Sequence, residues 1–206
     1  MTHEKSGLFY PNRMARIYIS SIEEMLGRGA MTAVLKQANL SHLIDNYPPN
    51  NLAREFDFAD FTAIGLGIEA VYGLRALRGI ATHSGKSAIQ LGLDQFDVVA
   101  GMSEVAVKAL PLRAKLKIGL KVMAETFSRF SDQRTTVAES DDHFIYTIHV
   151  CPICWGHTSD HPCCYTAIGL IQAGILWWTD REDIPVEQVT CIAMGSETCT
   201  FHIEKP

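Results

Sequence analysis

All six cysteines of this chain lie between Cys151 and Cys199, and the 150 residues before Cys151 contain none. In a small secreted protein, six cysteines would predict a disulfide framework. Residues 1–6 are polar and lack the apolar segment of an export signal, so we expect a cytoplasmic protein with reduced thiols. Clustered thiols in that compartment bind metal ions or carry out redox chemistry. This constrains the C-terminal fold more than any other feature of the sequence.

The composition predicts one globular domain and excludes several classes of protein. Hydrophobic residues make up 47% of the 206 residues, which is sufficient for a substantial core. The net charge of −5 argues against a nucleic-acid-binding protein, which would carry a basic face. No apolar run reaches the roughly 18–20 residues of a membrane span. We therefore expect a single domain over residues 1–206, with a helical N-terminal extension at 1–55 and a core at 56–206.

Hydrophobic periodicity predicts helices first and then a change to short strands. The predicted helices cover 13–26, 31–40, a segment opening near 57–60, 78–96, 112–130 and 163–178. The predicted strands cover 134–138, 144–150, 186–193 and 199–203. The order of helices, hairpin, helix and hairpin predicts an α+β fold, in which N-terminal helices pack on a small four-stranded antiparallel sheet.

The predicted elements bring several cysteines together. Cys191 and Cys199 lie on the two strands of the terminal hairpin and face the same side if its loop has an odd number of residues. Cys164 opens the helix between the hairpins, and a helix N-terminus favours the thiolate. Cys151 and Cys154 form a C-x-x-C pair at a strand end, where two thiolates can bind one ion. Three or four converging thiolates select zinc or an iron–sulfur cluster, whereas a single buried cysteine is more often a small hydrophobic residue.

The sequence around these cysteines has a recognisable pattern. A Cys-aromatic helix start, Cys164-Tyr165, is followed by the spacing Cys-x-x-x-Gly-x-x-x-Cys-x-Phe, which runs from Cys191 to Phe201. This pattern resembles the 4-vinyl reductase, or hydrocarbon-binding, domain family, which is related to the subunits of the TRAPP vesicle-tethering complex. Weaker similarity reaches back through residues 72–79 to Phe96.

The resemblance implies an α+β fold of the TRAPP-subunit-like or NO-signalling ligand-binding type, a dimer, and a buried pocket for an apolar or aromatic molecule. In related sensor domains of aromatic-responsive transcription regulators, cysteines at the positions of Cys164, Cys191 and Cys199 hold zinc together with a glutamate. The position of that glutamate is Gln188 here, and glutamine is a poor zinc ligand. The implied zinc ligands are therefore Cys154, Cys164, Cys191 and Cys199, with Cys151, Cys163 and Glu187 as substitutes.

Aromatic and aliphatic residues of the predicted elements are candidate walls of the pocket. They are Phe61, Ile64, Tyr72, Phe96, Trp155, Trp177 and Trp178. Our leading hypothesis is a cytoplasmic, homodimeric protein that binds an apolar, aromatic or tetrapyrrole molecule and contains a structural zinc site. A competing hypothesis is an enzyme, a 4-vinyl reductase or accessory factor of bacteriochlorophyll biosynthesis, although the sequence contains no recognisable nicotinamide or flavin motif. An iron–sulfur redox protein and a pure dimerisation module are two further hypotheses.

Overall fold

The computed structural model describes residues 4–93 and 110–206, and their elements change from helices to strands along the chain. The helices are α1 (Asn12–Leu26), α2 (Arg28–Gln37), α3 (Phe58–Tyr72), α4 (Leu74–Leu93), α5 (Leu112–Phe130) and α6 (Tyr165–Thr179). The strands are β1 (Phe9–Pro11), β2 (Arg54–Asp57), β3 (Thr135–Glu139), β4 (His143–Ile148), β5 (Val186–Thr190) and β6 (Cys199–Glu204). The predicted α+β class is confirmed.

An apolar core holds the N-terminal helices together. Apolar side chains of α1, α2 and α3 meet a short antiparallel ribbon formed by β1 and β2. Within this core Tyr10 contacts the rings of Phe58 and Phe61, and Tyr18 stacks on Phe61 with 4.1 Å between the ring centroids. Gly27, with a φ of 83°, lets α1 pass into α2 through a single residue, in a backbone conformation that side chains with a Cβ rarely adopt.

The start of α3 is fixed by a side-chain cap. The carboxylate of Asp57 accepts a hydrogen bond from Ala59 N at 2.8 Å, and from Ser6 N and Gly7 N at 3.0 and 3.1 Å. Burial raises the pKa of Asp57, but the hydrogen bonds favour the carboxylate and together hold the pKa below its ordinary value. The cap therefore ties the N-terminal segment of the chain to α3.

The C-terminal half is built on one antiparallel sheet with the strand order β3-β4-β6-β5. Alternate residues of β4 and β6 are buried on its inner face, where Tyr146 pairs with Phe201 and Ile148 with Cys199. The helices of this core are α5 and α6. The predicted four-stranded antiparallel sheet is confirmed, but the predicted packing of the N-terminal helices on it is not, since α1, α2 and α3 surround a core of their own.

The two halves meet where α4 packs against α6, backbone to backbone. A Cβ atom at Gly85 would lie 2.2 Å from the carbonyl oxygen of Thr166, and one at Gly169 would lie 2.0 Å from that of Thr82. Real Cβ atoms do not approach backbone oxygen atoms so closely. Glycine at these two positions is therefore what allows the helices of the two halves to touch.

Several predicted elements differ in detail from those observed. The short strands β1 and β2 were not predicted. The strand predicted at 186–193 ends at Thr190, because the register shifts between Gln188 and Thr190 and a 3-10 turn follows at Ile192–Met194. The helix predicted at 78–96 begins at Leu74 and is described to Leu93, so Phe96 lies outside the described residues. Among the described helices, none is long and apolar enough to cross a lipid bilayer.

Candidate metal centre

The C-x-x-C segment follows β4 and is held by a helix of the N-terminal half. Thr62 of α3 donates a hydrogen bond to Pro152 O at 2.7 Å and accepts one from Trp155 N at 2.9 Å. The side chain of Thr62 is buried, so both bonds are shielded from water. They fix the loop with the side chains of Cys151 and Cys154 buried in the C-terminal core.

Cys163 and Cys164 precede the first turn of α6, and Gln188 of β5 orients the backbone there. The backbone N–H of Cys164 donates to Gln188 Oε1 at 3.1 Å, and Gln188 Nε2 donates to Thr190 O at 3.0 Å. Gln188 stands where the family resemblance implies a glutamate ligand, and both ends of its amide are used by the backbone. Its neighbour Glu187 is exposed, so the structure does not bring this substitute ligand to the cysteines.

The last two cysteines flank the turn between β5 and β6. Cys191 directly follows β5, and Cys199 opens β6 opposite Ile148 of β4. The backbone N–H of Ile192 donates to Cys199 Sγ at 3.3 Å. A hydrogen bond to sulfur favours the charged form of a thiol, so this contact supports a thiolate at Cys199.

The six sulfur atoms form two groups of four that share two members. The first group is Cys151, Cys154, Cys164 and Cys199, and the second is Cys154, Cys163, Cys164 and Cys191. Within each group, all four sulfur atoms lie within 4.8 Å of one another. The sulfur atoms of Cys154 and Cys199 are 3.5 Å apart, and those of Cys164 and Cys191 are 3.9 Å apart. All six cysteines are free thiols, and of these only Cys163 is partly exposed.

Burial and crowding oppose the ionisation of several of these thiols in the absence of a cation. Burial raises the pKa of Cys151, and hydrogen bonding with Cys151 and other neighbouring thiols raises the pKa of Cys154 and of Cys164. Hydrogen bonds from Cys154 and Cys163 lower the pKa of Cys191. A divalent cation offsets the repulsion between thiolates. The arrangement therefore has the chemistry of a cation-binding site.

The four predicted zinc ligands are all in this cluster, but they are divided between the two groups. Cys154 and Cys164 belong to both groups, whereas Cys199 belongs only to the first and Cys191 only to the second. Cys151 and Cys163, which we expected as substitutes, complete the groups. Zinc itself stays a prediction.

A small cavity lies between the N-terminal helices and the sulfur cluster. Its volume is about 20 Å³, which has room for roughly one water molecule. Its walls include Tyr18, Phe61, Leu77, Ala81, Cys163 and Thr166. The buried hydroxyl of Thr166 has no hydrogen-bond partner within the described residues. A water molecule or a polar ligand atom in the cavity can satisfy this hydroxyl.

Of the predicted pocket residues, Phe61 lines this cavity. The other described ones lie elsewhere: Ile64 in the N-terminal core, Tyr72 exposed at the end of α3, Trp155 against Phe58, and Trp177 and Trp178 in the C-terminal core. Phe96 lies outside the described residues. Sequence analysis missed Thr62 and Thr166, two buried hydroxyls in otherwise apolar stretches of helix, and their polarity in that setting was the one available signal.

The family comparison covers the part of the chain that contains the cluster. Residues 144–205 match the model of the 4-vinyl reductase domain. This confirms the predicted resemblance over these residues, which include all six cysteines. No curated protein matches the chain by sequence.

Solved structures of H-NOX proteins are similar to nearly the whole chain. The unliganded Fe(II) H-NOX protein from K. algicida superposes with a TM-score of 0.59 at 10% identity, over 95% of this chain and 96% of that one. The H-NOX protein from S. oneidensis in its Fe(II)NO state gives 0.56 at 12% identity, over 93% and 99%. An H-NOX structure from work on heme distortion gives 0.55 at 14% identity, over 93% and 91%. At these identities the likeness concerns the fold alone, and it agrees with the NO-signalling ligand-binding type implied by the family resemblance.

Proposed function

We propose that this chain, whose residues 144–205 match a 4-vinyl reductase domain, is a small-molecule-binding protein with a zinc centre of buried cysteine thiolates. One observation carries the proposal. Cys163 belongs to the sulfur cluster and also lines the cavity between the two halves. A molecule in the cavity would therefore lie next to a metal ligand.

Zinc fits the spacing of the sulfur atoms. A tetrahedral zinc ion with Zn–S bonds of about 2.3 Å holds its thiolates about 3.8 Å apart. The sulfur atoms that are in contact here are separated by 3.5 to 3.9 Å. A four-iron cluster binds one thiolate at each iron and needs a wider spacing than a single ion does. The spacing supports zinc over an iron–sulfur cluster, and an ion with four protein ligands would be structural.

Haem does not fit the described residues, although the similar H-NOX structures include Fe(II) states. The cavity of about 20 Å³ is far smaller than the roughly 300–1,000 Å³ of a cofactor pocket. Beside it, the close contact between Gly85 and Thr166 leaves no space between α4 and α6. We derive no step through haem, and we propose a ligand much smaller than a tetrapyrrole.

The cavity walls define the chemistry of that ligand. Tyr18 and Phe61 provide stacked aromatic surface, Leu77 and Ala81 provide aliphatic surface, and Thr166 provides a hydroxyl without a partner. These walls match a small aromatic molecule with one polar group, for which phenol is a suitable probe. Because the cavity has the size of one water molecule, binding requires these side chains to move apart.

The test measures zinc and ligand binding in the same protein. Elemental analysis of chain purified without oxygen measures zinc and iron, and NMR or calorimetry measures phenol binding. Gly65 lines the cavity, and a Cβ atom there meets no atom within 4 Å, so Gly65→Leu adds a side chain at the wall. Gly79→Leu is the matched control, since Gly79 is exposed on the next helix and its Cβ position is equally open.

We expect zinc in all three proteins, phenol binding in wild type and Gly79→Leu, and binding at least about tenfold weaker in Gly65→Leu, a difference of about 1.4 kcal/mol. Protein without zinc, or with iron and sulfide, would contradict the zinc centre. Equal phenol affinities of the two variants would contradict the cavity as the binding site.

The homodimer and the cytoplasmic location stay predictions. Light scattering of the zinc-loaded chain measures the first, and we expect twice the chain mass of 22.8 kDa. A mass of 22.8 kDa at all concentrations tested would contradict the homodimer.

A further inference from the structure

The sulfur cluster contains more thiols than one tetrahedral ion uses. Structural zinc takes four ligands, and six sulfur atoms converge here. Each of the two groups has four members, and both contain Cys154 and Cys164. We propose that the cluster binds two zinc ions, bridged by the thiolates of Cys154 and Cys164. This inference rests on the proposed zinc centre and assigns its nuclearity and its ligands.

Both groups have the dimensions of a zinc tetrahedron, whose edge is about 3.8 Å for Zn–S bonds of about 2.3 Å. In the first group, the sulfur atoms of Cys164 and Cys199 are 3.6 Å apart and those of Cys151 and Cys164 are 3.7 Å apart. In the second group, those of Cys163 and Cys191 are 3.8 Å apart. Two tetrahedra that share the edge between Cys154 and Cys164 account for every cysteine of the chain. The terminal ligands are Cys151 and Cys199 on one ion and Cys163 and Cys191 on the other.

The charge of the cluster also permits a second ion. One Zn²⁺ with four thiolates carries two negative charges in an apolar core, and burying charge is costly. Two Zn²⁺ ions with six thiolates carry the same two negative charges, because the second ion is neutralised by deprotonation of the two remaining thiols. The second ion therefore adds no net charge to the core. It also replaces two crowded, buried thiols by metal-bound thiolates, which removes the crowding that opposes their ionisation.

The two ions would have different surroundings. The ion held by the first group has only buried ligands. The ion held by the second group includes Cys163, which is partly exposed and lines the cavity. The second ion is thus the one next to the proposed ligand, and it should exchange more readily with solvent.

Native mass spectrometry of the full chain counts the ions directly. We expect two zinc ions per chain in protein purified without oxygen and equilibrated with a zinc buffer. Cys163→Ser removes a terminal ligand of the second ion and should leave one zinc ion. Cys151→Ser, the matched variant in the first group, should also leave one. Circular dichroism identifies any variant that fails to fold, and Cys163→Ser is the better tolerated because Cys163 is partly exposed.

The outcomes separate this inference from the zinc centre itself. One zinc ion in saturated wild type, unchanged in Cys163→Ser and lost in Cys151→Ser, would overturn the second ion and leave a single zinc site. Absence of zinc would overturn both. Replacement of zinc by ¹¹³Cd tests the bridges: two cadmium resonances split by coupling to each other require shared sulfur ligands. Two resonances without that splitting would overturn the bridging assignment.

Discussion

The two halves of this molecule form cores of similar character by different means. The N-terminal core is filled by aromatic and aliphatic side chains such as Phe58 and Ile64, and none of its buried members is a cysteine. The C-terminal core contains equally apolar residues such as Phe144 and Phe201, together with five buried cysteines at one end of the sheet. Apolar packing is sufficient for the first core. In the second, a group of sulfur atoms fills positions where hydrocarbon would pack as well, which indicates a role beyond packing.

The contacts between the halves explain how one can affect the other. Thr62 of the N-terminal half holds the loop that carries Cys151 and Cys154. Gly85 and Gly169 allow α4 to approach α6, whose first turn follows the other pair of cysteines. The metal centre is therefore part of the C-terminal core, but its geometry depends on both halves.

Removal of metal is expected to have the largest effect and to act on one half. Binding of a structural zinc ion contributes to folding because the site does not exist in the unfolded chain. Treatment with a chelator should speed amide hydrogen exchange in β5, β6 and residues 151–164 by at least about a hundredfold, which corresponds to about 2.7 kcal/mol. We expect α1 and α2 to keep their protection, and added zinc to restore the C-terminal half.

Hydrogen-exchange mass spectrometry measures both halves in one sample. Equal loss of protection in α1 and in β6 would mean that the halves unfold as one unit. Unchanged protection everywhere would mean that the cysteines are ordinary core residues and that the contrast between the two cores is wrong.

Truncation of one large side chain in each core comes next in size. Phe58 and Phe201 are both fully buried, and Phe→Ala at such positions costs about 3–5 kcal/mol. In metal-loaded protein we expect Phe58→Ala and Phe201→Ala to lower the free energy of unfolding by similar amounts in urea titrations. After metal removal, the cost of Phe201→Ala should disappear from the remaining transition while that of Phe58→Ala persists. A persistent cost at Phe201 would mean that the C-terminal core is stable without metal.

The fold was predictable where periodicity extends over several turns. The amphipathic pattern of residues 112–130 predicted α5 with its observed ends, because Pro111 directly precedes it and the pattern stops at Phe130. The strands β1 and β2 have three and four residues, and so few residues do not make an alternation that can be recognised. The pairing of these two strands depends on contacts between segments that are more than 40 residues apart.

The site was predictable only in part, for a related reason. The convergence of the cysteines followed from their places at the ends of predicted elements. Their division into two groups depends on the loop that Thr62 holds, and no local pattern encodes a contact across 90 residues. The pocket prediction chose large aromatic residues, most of which fill the cores. Small residues such as Gly65 and Ala81 line the observed cavity instead.

The contact between the halves can be tested by adding one carbon atom. A Cβ at Gly169 would lie 2.0 Å from the backbone oxygen of Thr82, so Gly169→Ala must push α6 away from α4. Overpacking of this kind costs about 1–3 kcal/mol. Gly79→Ala is the control, because its Cβ meets no atom within 4 Å and helix propensity predicts stabilisation by about 1 kcal/mol. Thermal unfolding of both variants measures the difference, and destabilisation of the two to the same extent would contradict a specific contact.

The smallest effect we expect is at the cap of α3, and it belongs to the N-terminal half alone. Removal of the N-cap side chain in Asp57→Ala should cost about 1 kcal/mol. Asp57→Asn keeps an oxygen for Ala59 N but cannot accept the bond from Gly7 N in the same way, so its cost should be smaller.

The hydrogen bonds to Asp57 also predict the sign of a pH effect. Because they hold the pKa of the folded state below that of the unfolded chain, the contribution of the carboxylate is present above the unfolded value of about 3.9 and is lost as the pH falls through the folded value. Wild type and Asp57→Asn share the same cysteines, so metal loss in acid affects both equally. Their difference in stability should therefore shrink as the pH falls below about 4. A difference in urea titrations that stays constant over this range would show that the cap acts through geometry and not through charge.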